Sequence, residues 1–180
     1  PHTVLYADYF HIAPGRGAAG DMAAFGAPQV RLEVRYDTAL RAELIRRAEE
    51  AGLTAGTLGQ READLDHGVV IPLWYLRRAG VDCPILRLGL SGFSPLDHYR
   101  LGQCAARAAE ALGRRAVFVA SGDLSHKLKA DGPYGFAPEG PVFDEAVTRA
   151  MASGDFLSFL TMDPALCQRA AECGLRSFQI

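Results

Sequence analysis

Arg115-Ala116-Val117-Phe118-Val119-Ala120 runs directly into Ser121-Gly122-Asp123-Leu124-Ser125-His126, and this stretch decides how the chain is read. A near-continuous apolar run of that length suits a central strand buried on both faces. The six residues after it are small, acidic and hydroxylic, and they end on an imidazole. Open parallel sheets bind ligands beyond the carboxyl ends of their strands, so His126 is expected at the rim of a site. A neutral imidazole there can ligate a metal or shuttle a proton near neutral pH. The competing reading is a histidine merely packed into its loop.

Working outward, Val30 to Tyr36 alternates apolar and polar residues, the pattern of a half-buried strand. Asp37 or Thr38 then caps a helix to about Ala51, with Gly52 as its stop. The apolar stretch Gly68–Arg78 reads as a short buried helix with Pro72 near its start. Pro84 to Leu90 reads as a strand, and Pro95 to Leu112 as a helix with proline first and Gly113 after its end. Gly and Pro crowd Ala13 to Ala27, which marks a loop. A second loop runs from Ser121 to Gly140. Helices are expected over Pro141–Ser153, Phe156–Thr161 and Pro164–Cys173, with a strand after Glu172. Strands alternating with helices predict an α/β fold, a mostly parallel central sheet with helices on both faces.

Composition narrows the function. The 180 residues are 49% hydrophobic and 22% charged, which is ordinary globular usage and enough for a real core. Net charge is -2 and no basic stripe is present, so phosphate-backbone binding has no electrostatic support. The pairs Arg46-Arg47, Arg77-Arg78 and Arg114-Arg115 read as solvated helix ends and loop edges. Cys83, Cys104, Cys167 and Cys173 form no CxxC pair, and reduced thiols in a cytoplasmic protein are expected. No apolar run reaches membrane-spanning length. The chain opens at Pro1-His2 without an initiator methionine and stops inside an apolar segment. The expectation is one domain over 1–180, cut at both ends from something longer.

Three further constellations are candidates for chemistry. In Leu65-Asp66-His67-Gly68 the aspartate either orients the imidazole or caps the following helix. Pro1-His2 is followed by Tyr6, Asp8, Tyr9 and His11. His2 reads either as a terminal residue or as a ligand, His11 as a loop histidine, and Asp8 and Tyr9 as solvated. In Ala171-Glu172-Cys173-Gly174 the carboxylate could complete the two-histidine, one-carboxylate face of non-haem Fe(II) oxygenases. Cys173 is the competing ligand, and its thiolate would favour softer ions. His98 lies within a helical pattern and reads as structural.

The ordered set Pro1-His2, Asp66-His67-Gly68, Ser121 to Leu128 and Ala171 to Ser177 resembles the LigB-like family of class III extradiol ring-cleavage dioxygenases. It is most similar to the branch found with AMMECR1-type domains, the AmmeMemoRadiSam group. The resemblance covers nearly the whole chain. It implies an α/β enzyme with one non-haem Fe(II), or Zn(II) in related proteins, acting on a small aromatic diol with O₂. It implies His2 and Glu172 as metal ligands, with Cys173 the alternate ligand of the Memo-like branch. It implies His126 as the acid/base residue and His67 as the substrate-side histidine. The family's first histidine ligand would lie upstream of Pro1. The resemblance also implies a loop, Tyr6 to Gly26, covering the site, and an AMMECR1-type domain as partner. A Memo-like metal-binding protein without ring cleavage, and a zinc hydrolase or lyase reusing the same histidines, are the alternatives. The four residues His2, His67, His126 and Glu172 are expected around one cleft.

Overall fold

The computed structural model describes residues 5–59 and 64–180. His2, expected as a metal ligand, lies outside the described residues. By its internal contacts the chain divides into two compact units, Pro1–Phe93 with Gln103–Val117, and Ser94–Gly102 with Phe118–Ile180. The architecture is mixed α/β, with six α-helices and a small parallel sheet among the described residues.

The first unit holds β1 (Phe10–His11), β2 (Gly17–Met22), β3 (Ala27–Arg35), α1 (Thr38–Glu50), β4 (Ala55–Gly56) and α2 (His67–Arg78). β1 pairs in parallel with β4, and β2 pairs antiparallel with β3. The expected strand at 84–90 survives as two single bridges, Ile85 to Tyr36 and Leu88 to Ile12. Those bridges place it between the β1 segment and the end of β3.

Helix α1 forms where local signals agree. Asp37 accepts from the Leu40 amide at 3.0 Å, and Gly52 adopts the left-handed φ of 72° that stops the helix. The helix turns Leu44 and Ala48, one turn apart, fully inward. Removing the Leu44 side chain beyond Cβ would cost about 2–5 kcal/mol. In α2, Asp66 caps by accepting from the Val69 amide at 3.0 Å. Pro72 stands inside this helix rather than in its first turn. Only Val70 of α2 is fully buried, so the expected buried helix is a half-buried one.

Two expectations fail here. Ala13 to Ala27 is not a loop but carries β2, which turns through a 3-10 helix at Ala23–Phe25 into β3. Gly15 and Gly26 do stand at left-handed φ in turns, but Gly17 and Gly20 mark close backbone approach. A Cβ at Gly17 would lie 2.3 Å from the Val34 carbonyl oxygen, and one at Gly20 would lie 2.4 Å from that of Leu65. The Tyr6–Gly26 stretch therefore carries two paired strands, β1 and β2, and is not a continuous loop. The second failure is the apolar run 115–120, which makes no strand pairing among the described residues. Val117 is 89% exposed and Phe118 52%. An apolar run becomes a central strand only when partners flank both edges, and the described strands give it none.

Helix α3 (Pro95–Ala111) contributes residues to both units. The second unit adds α4 (Glu139–Ser153), a 3-10 turn at Phe156–Leu160, α5 (Pro164–Ala170) and α6 (Leu175–Gln179). Phe143, Val147 and Ala150 recur at helical spacing on α4 and pack with Phe159, Ala170 and Leu175. The strand expected after Glu172 is instead α6. No described helix is long and apolar enough to cross a membrane.

Candidate metal centre

In the second unit two loops cross in backbone contact. One is Ser121–His126, and the other is the link from α5 to α6, Ala171–Gly174. A Cβ on Gly122 would lie 2.3 Å from the Gly174 Cα, and one on Gly174 would lie 2.8 Å from the Asp123 carbonyl oxygen. Glycine at both positions is what lets the loops meet. The hydroxyls of the first motif then fasten it. Ser125 donates its hydroxyl to the Ala170 carbonyl at 2.8 Å and accepts the Lys127 amide. Its own amide donates to Asp144 at 2.8 Å. Ser177 on α6 donates to the Ser121 carbonyl at 2.7 Å.

This crossing brings Asp123, His126 and Cys173 together. One ligand atom from each lies within 4.8 Å of the others, the separation expected of groups that can hold a metal ion. His126 donates its Nδ1–H to the Ala171 carbonyl, since a carbonyl can only accept. Ala171 reaches that position in the left-handed region, at φ 52°, which is unusual for a residue with a Cβ. With Nδ1 committed, the lone pair of the neutral ring sits on Nε2. Nε2 is 3.2 Å from the Asp123 carboxylate. Two acceptors at that distance need a proton or a cation between them. Two ligands on one ion, each about 2.0–2.1 Å away, stand roughly 3 Å apart, so the pair also fits a shared metal. Tyr134 lays its ring 4.8 Å from the imidazole and shields one side.

Cys173 is bound into the same turn. Its Sγ accepts the Asp123 amide at 3.3 Å and lies 3.9 Å from the carboxylate. Burial pushes this thiol's pKa up, the Asp123 amide opposes, and the charges of Asp123 and Glu172 raise it further. A metal would have to displace that proton, as every thiolate ligand requires.

Glu172 does something different from what its place in the sequence suggests. Its Oε2 accepts the Leu175 amide at 2.7 Å, at the start of α6. It stands in no three-donor group among the described residues. His67 is the first residue of α2 in the other unit, with the Phe25 ring 4.9 Å away. His98 is fully buried, and its Nδ1–H donates to Ser94 at 2.9 Å, the structural role expected of it. Burial lowers its pKa, partly offset by the Ser94 bond. Asp123 was not singled out as a ligand by the sequence. Its three-residue spacing from His126 was the available signal, but a loop offers no periodicity to give that spacing a direction.

An imidazole, a carboxylate and a thiol meeting at a loop crossing make a group that could hold a metal ion. The family model that matches is the catalytic LigB subunit of aromatic ring-opening dioxygenase, and it covers residues 2–180. The chain belongs to this metal-dependent, dioxygenase-like family. It is also 30% identical to Protein CA_C1420 of Clostridium acetobutylicum over 187 aligned positions, covering 100% of this chain. The chain spans only 40% of the length of that relative.

Proposed function

We propose that the chain is the catalytic part of an extradiol ring-cleavage dioxygenase, opening a catechol-type ring with O₂ at a non-haem Fe(II) site. We take both compact units as one catalytic domain, because the family match runs through both. The observation that carries the reading is the convergence of Asp123, His126 and Cys173 within 4.8 Å in a chain of this family.

The metal would supply a place where the diol oxygens and O₂ are held together. His126 would take the substrate hydroxyl proton at Nε2 and later return it, so the metal would be held by Asp123 and Cys173, with the imidazole beside the ion and not bound to it. The Ala171 carbonyl keeps the ring in the required tautomer and orientation. Asp123, 3.2 Å from Nε2, would stabilise the imidazolium formed in that step. His67 would serve on the substrate side, and His2 as a metal ligand. Of the two late candidates Cys173 is the better-supported ligand, since it sits in the three-donor group. Glu172 has one oxygen engaged by the α6 backbone.

The thiol also favours a second reading. A sulfur ligand suits softer ions such as Zn(II), which fits a Memo-like metal-binding protein of the AmmeMemoRadiSam group without ring cleavage. An AMMECR1-type domain would be the partner in either case. Aerobic Fe(II) assays of the full-length protein with catechol, protocatechuate and 3,4-dihydroxyphenylalanine separate the two. A yellow ring-opened product, lost in His126→Ala, is expected. Tight metal binding without turnover across the panel would favour the second reading.

A further inference from the structure

The hairpin that follows His126 holds an aromatic ring where core packing gives no reason for one. Tyr134 is 58% exposed, yet its ring lies 4.8 Å from the His126 imidazole, tilted by 50°. A ring left mostly in water gains little from burial, so its place calls for another account.

The backbone fixes where this ring can go. Leu128 and Phe136 bridge as antiparallel partners, and the Ala137 amide donates to the Lys127 carbonyl at 3.1 Å. Between them Gly132-Pro133-Tyr134-Gly135 makes a turn, closed by the Gly135 amide on the Gly132 carbonyl at 3.0 Å. Proline suits the first corner of such a turn, and Gly135 leaves it at a left-handed φ of 70°. The foot of the hairpin is seated on α4. A Cβ on Gly140 would lie 2.6 Å from the Lys127 carbonyl oxygen and 2.7 Å from the Ser125 Oγ. Tyr134 is thus carried by a bonded turn that starts from the same Ser125 that fastens the His126 loop.

The imidazole has a use for such a support. Its Nδ1–H donates to the Ala171 carbonyl, and its Nε2 faces Asp123 at 3.2 Å. A half-turn about the Cβ–Cγ bond would put ring carbons where both nitrogens stand. His126 sits in a loop, so no helix or strand neighbour opposes that rotation. A ring packed beside the imidazole does.

We propose that Tyr134 is a positioning residue for His126: its ring holds the imidazole with Nε2 aimed at the candidate metal centre. It acts through His126 and not on the substrate. The proposal rests on the acid/base reading of His126. It uses the ring and not the hydroxyl, so phenylalanine should serve as well.

The test compares wild type with Tyr134→Phe, Tyr134→Ala and Tyr134→Leu, the last keeping bulk without an aromatic ring, all in the full-length protein. One arm needs no turnover. It reads the ring ¹⁵N shifts of His126 in the Zn(II)-loaded protein, assigned by their loss in His126→Gln. The Nδ1–H tautomer should dominate in wild type and Tyr134→Phe. Its ratio to the Nε2–H tautomer should fall about two- to tenfold in Tyr134→Ala and Tyr134→Leu, the range of one aromatic contact. The other arm reads kcat and KM with the catechol that responds best. In the same two variants kcat should fall by a similar factor, with KM and metal content at the wild-type level, while Tyr134→Phe keeps the wild-type kcat. A wild-type tautomer ratio in Tyr134→Ala, or a rise in KM with kcat unchanged, would overturn the proposal. If no catechol is turned over by wild type, the ring-cleavage reading fails by itself, and the ¹⁵N arm still decides whether Tyr134 positions His126.

Discussion

Asp66-His67 and Asp123-His126 put the same two residue types close together, yet they do different work. The Asp66 carboxylate is engaged by the Val69 amide, 3.0 Å away, at the start of α2. It is a helix cap, and His67 beside it is the first residue of that helix. The Asp123 carboxylate is claimed by no backbone amide in its own loop. It faces the His126 Nε2 at 3.2 Å and the Cys173 sulfur at 3.9 Å. Whether an aspartate next to a histidine is structural or chemical is decided by the orphan amides within its reach. A nascent helix offers them, and a loop crossing does not.

The largest expected effect lies at His126. His126→Ala should lower turnover by about 10²–10⁴-fold, the usual contribution of a positioned acid/base group, read as kcat with the catechol substrate that responds best. Replacing Asp123 and Asp66 should then give opposite outcomes. Asp66→Ala should cost about 1 kcal/mol of stability through loss of the cap, measured by urea melts, and leave bound metal at the wild-type level. Asp123→Ala should change stability by less than about 0.5 kcal/mol, as for an exposed pair, while metal content falls. If both variants lose stability and keep metal, the distinction between the two aspartates is wrong.

A smaller effect separates the buried His98 from the site histidines. Burial holds its folded pKa below the ordinary value near 6.5. A depressed folded pKa stabilises above the unfolded value, and that stability is lost as pH falls through the folded one. Acidification below about pH 6.5 should therefore destabilise the protein. The fall should be shallower in His98→Asn, whose amide can still donate to Ser94. An unchanged acid limb in that variant would mean that His98 takes up no proton on unfolding.

Where the sequence could be read, the signals were local. Asp37, Gly52, Pro95 and Gly113 bound their helices within a turn of where they stand, because caps and stops act on adjacent backbone groups. Two other features depend on distant chain. Gly17 and Gly20 look like loop residues until Val34 and Leu65 are seen pressing on them. The run 115–120 looks like a core strand only if pairing partners are assumed. The site was legible in the same partial way. His126 and Cys173 stood out by residue type, and so did Glu172. That Glu172 spends an oxygen on α6, and that Asp123 faces the imidazole, comes from Gly122 and Gly174 touching across a separation no local pattern encodes.

The most direct test of the metal centre is the optical spectrum of the full-length protein loaded with Co(II), wild type beside Cys173→Ser and Glu172→Gln. An intense sulfur-to-cobalt charge-transfer band is expected in wild type and in Glu172→Gln, abolished in Cys173→Ser. A wild-type spectrum without that band, or one that survives in Cys173→Ser, would contradict a metal held through Cys173 at the loop crossing.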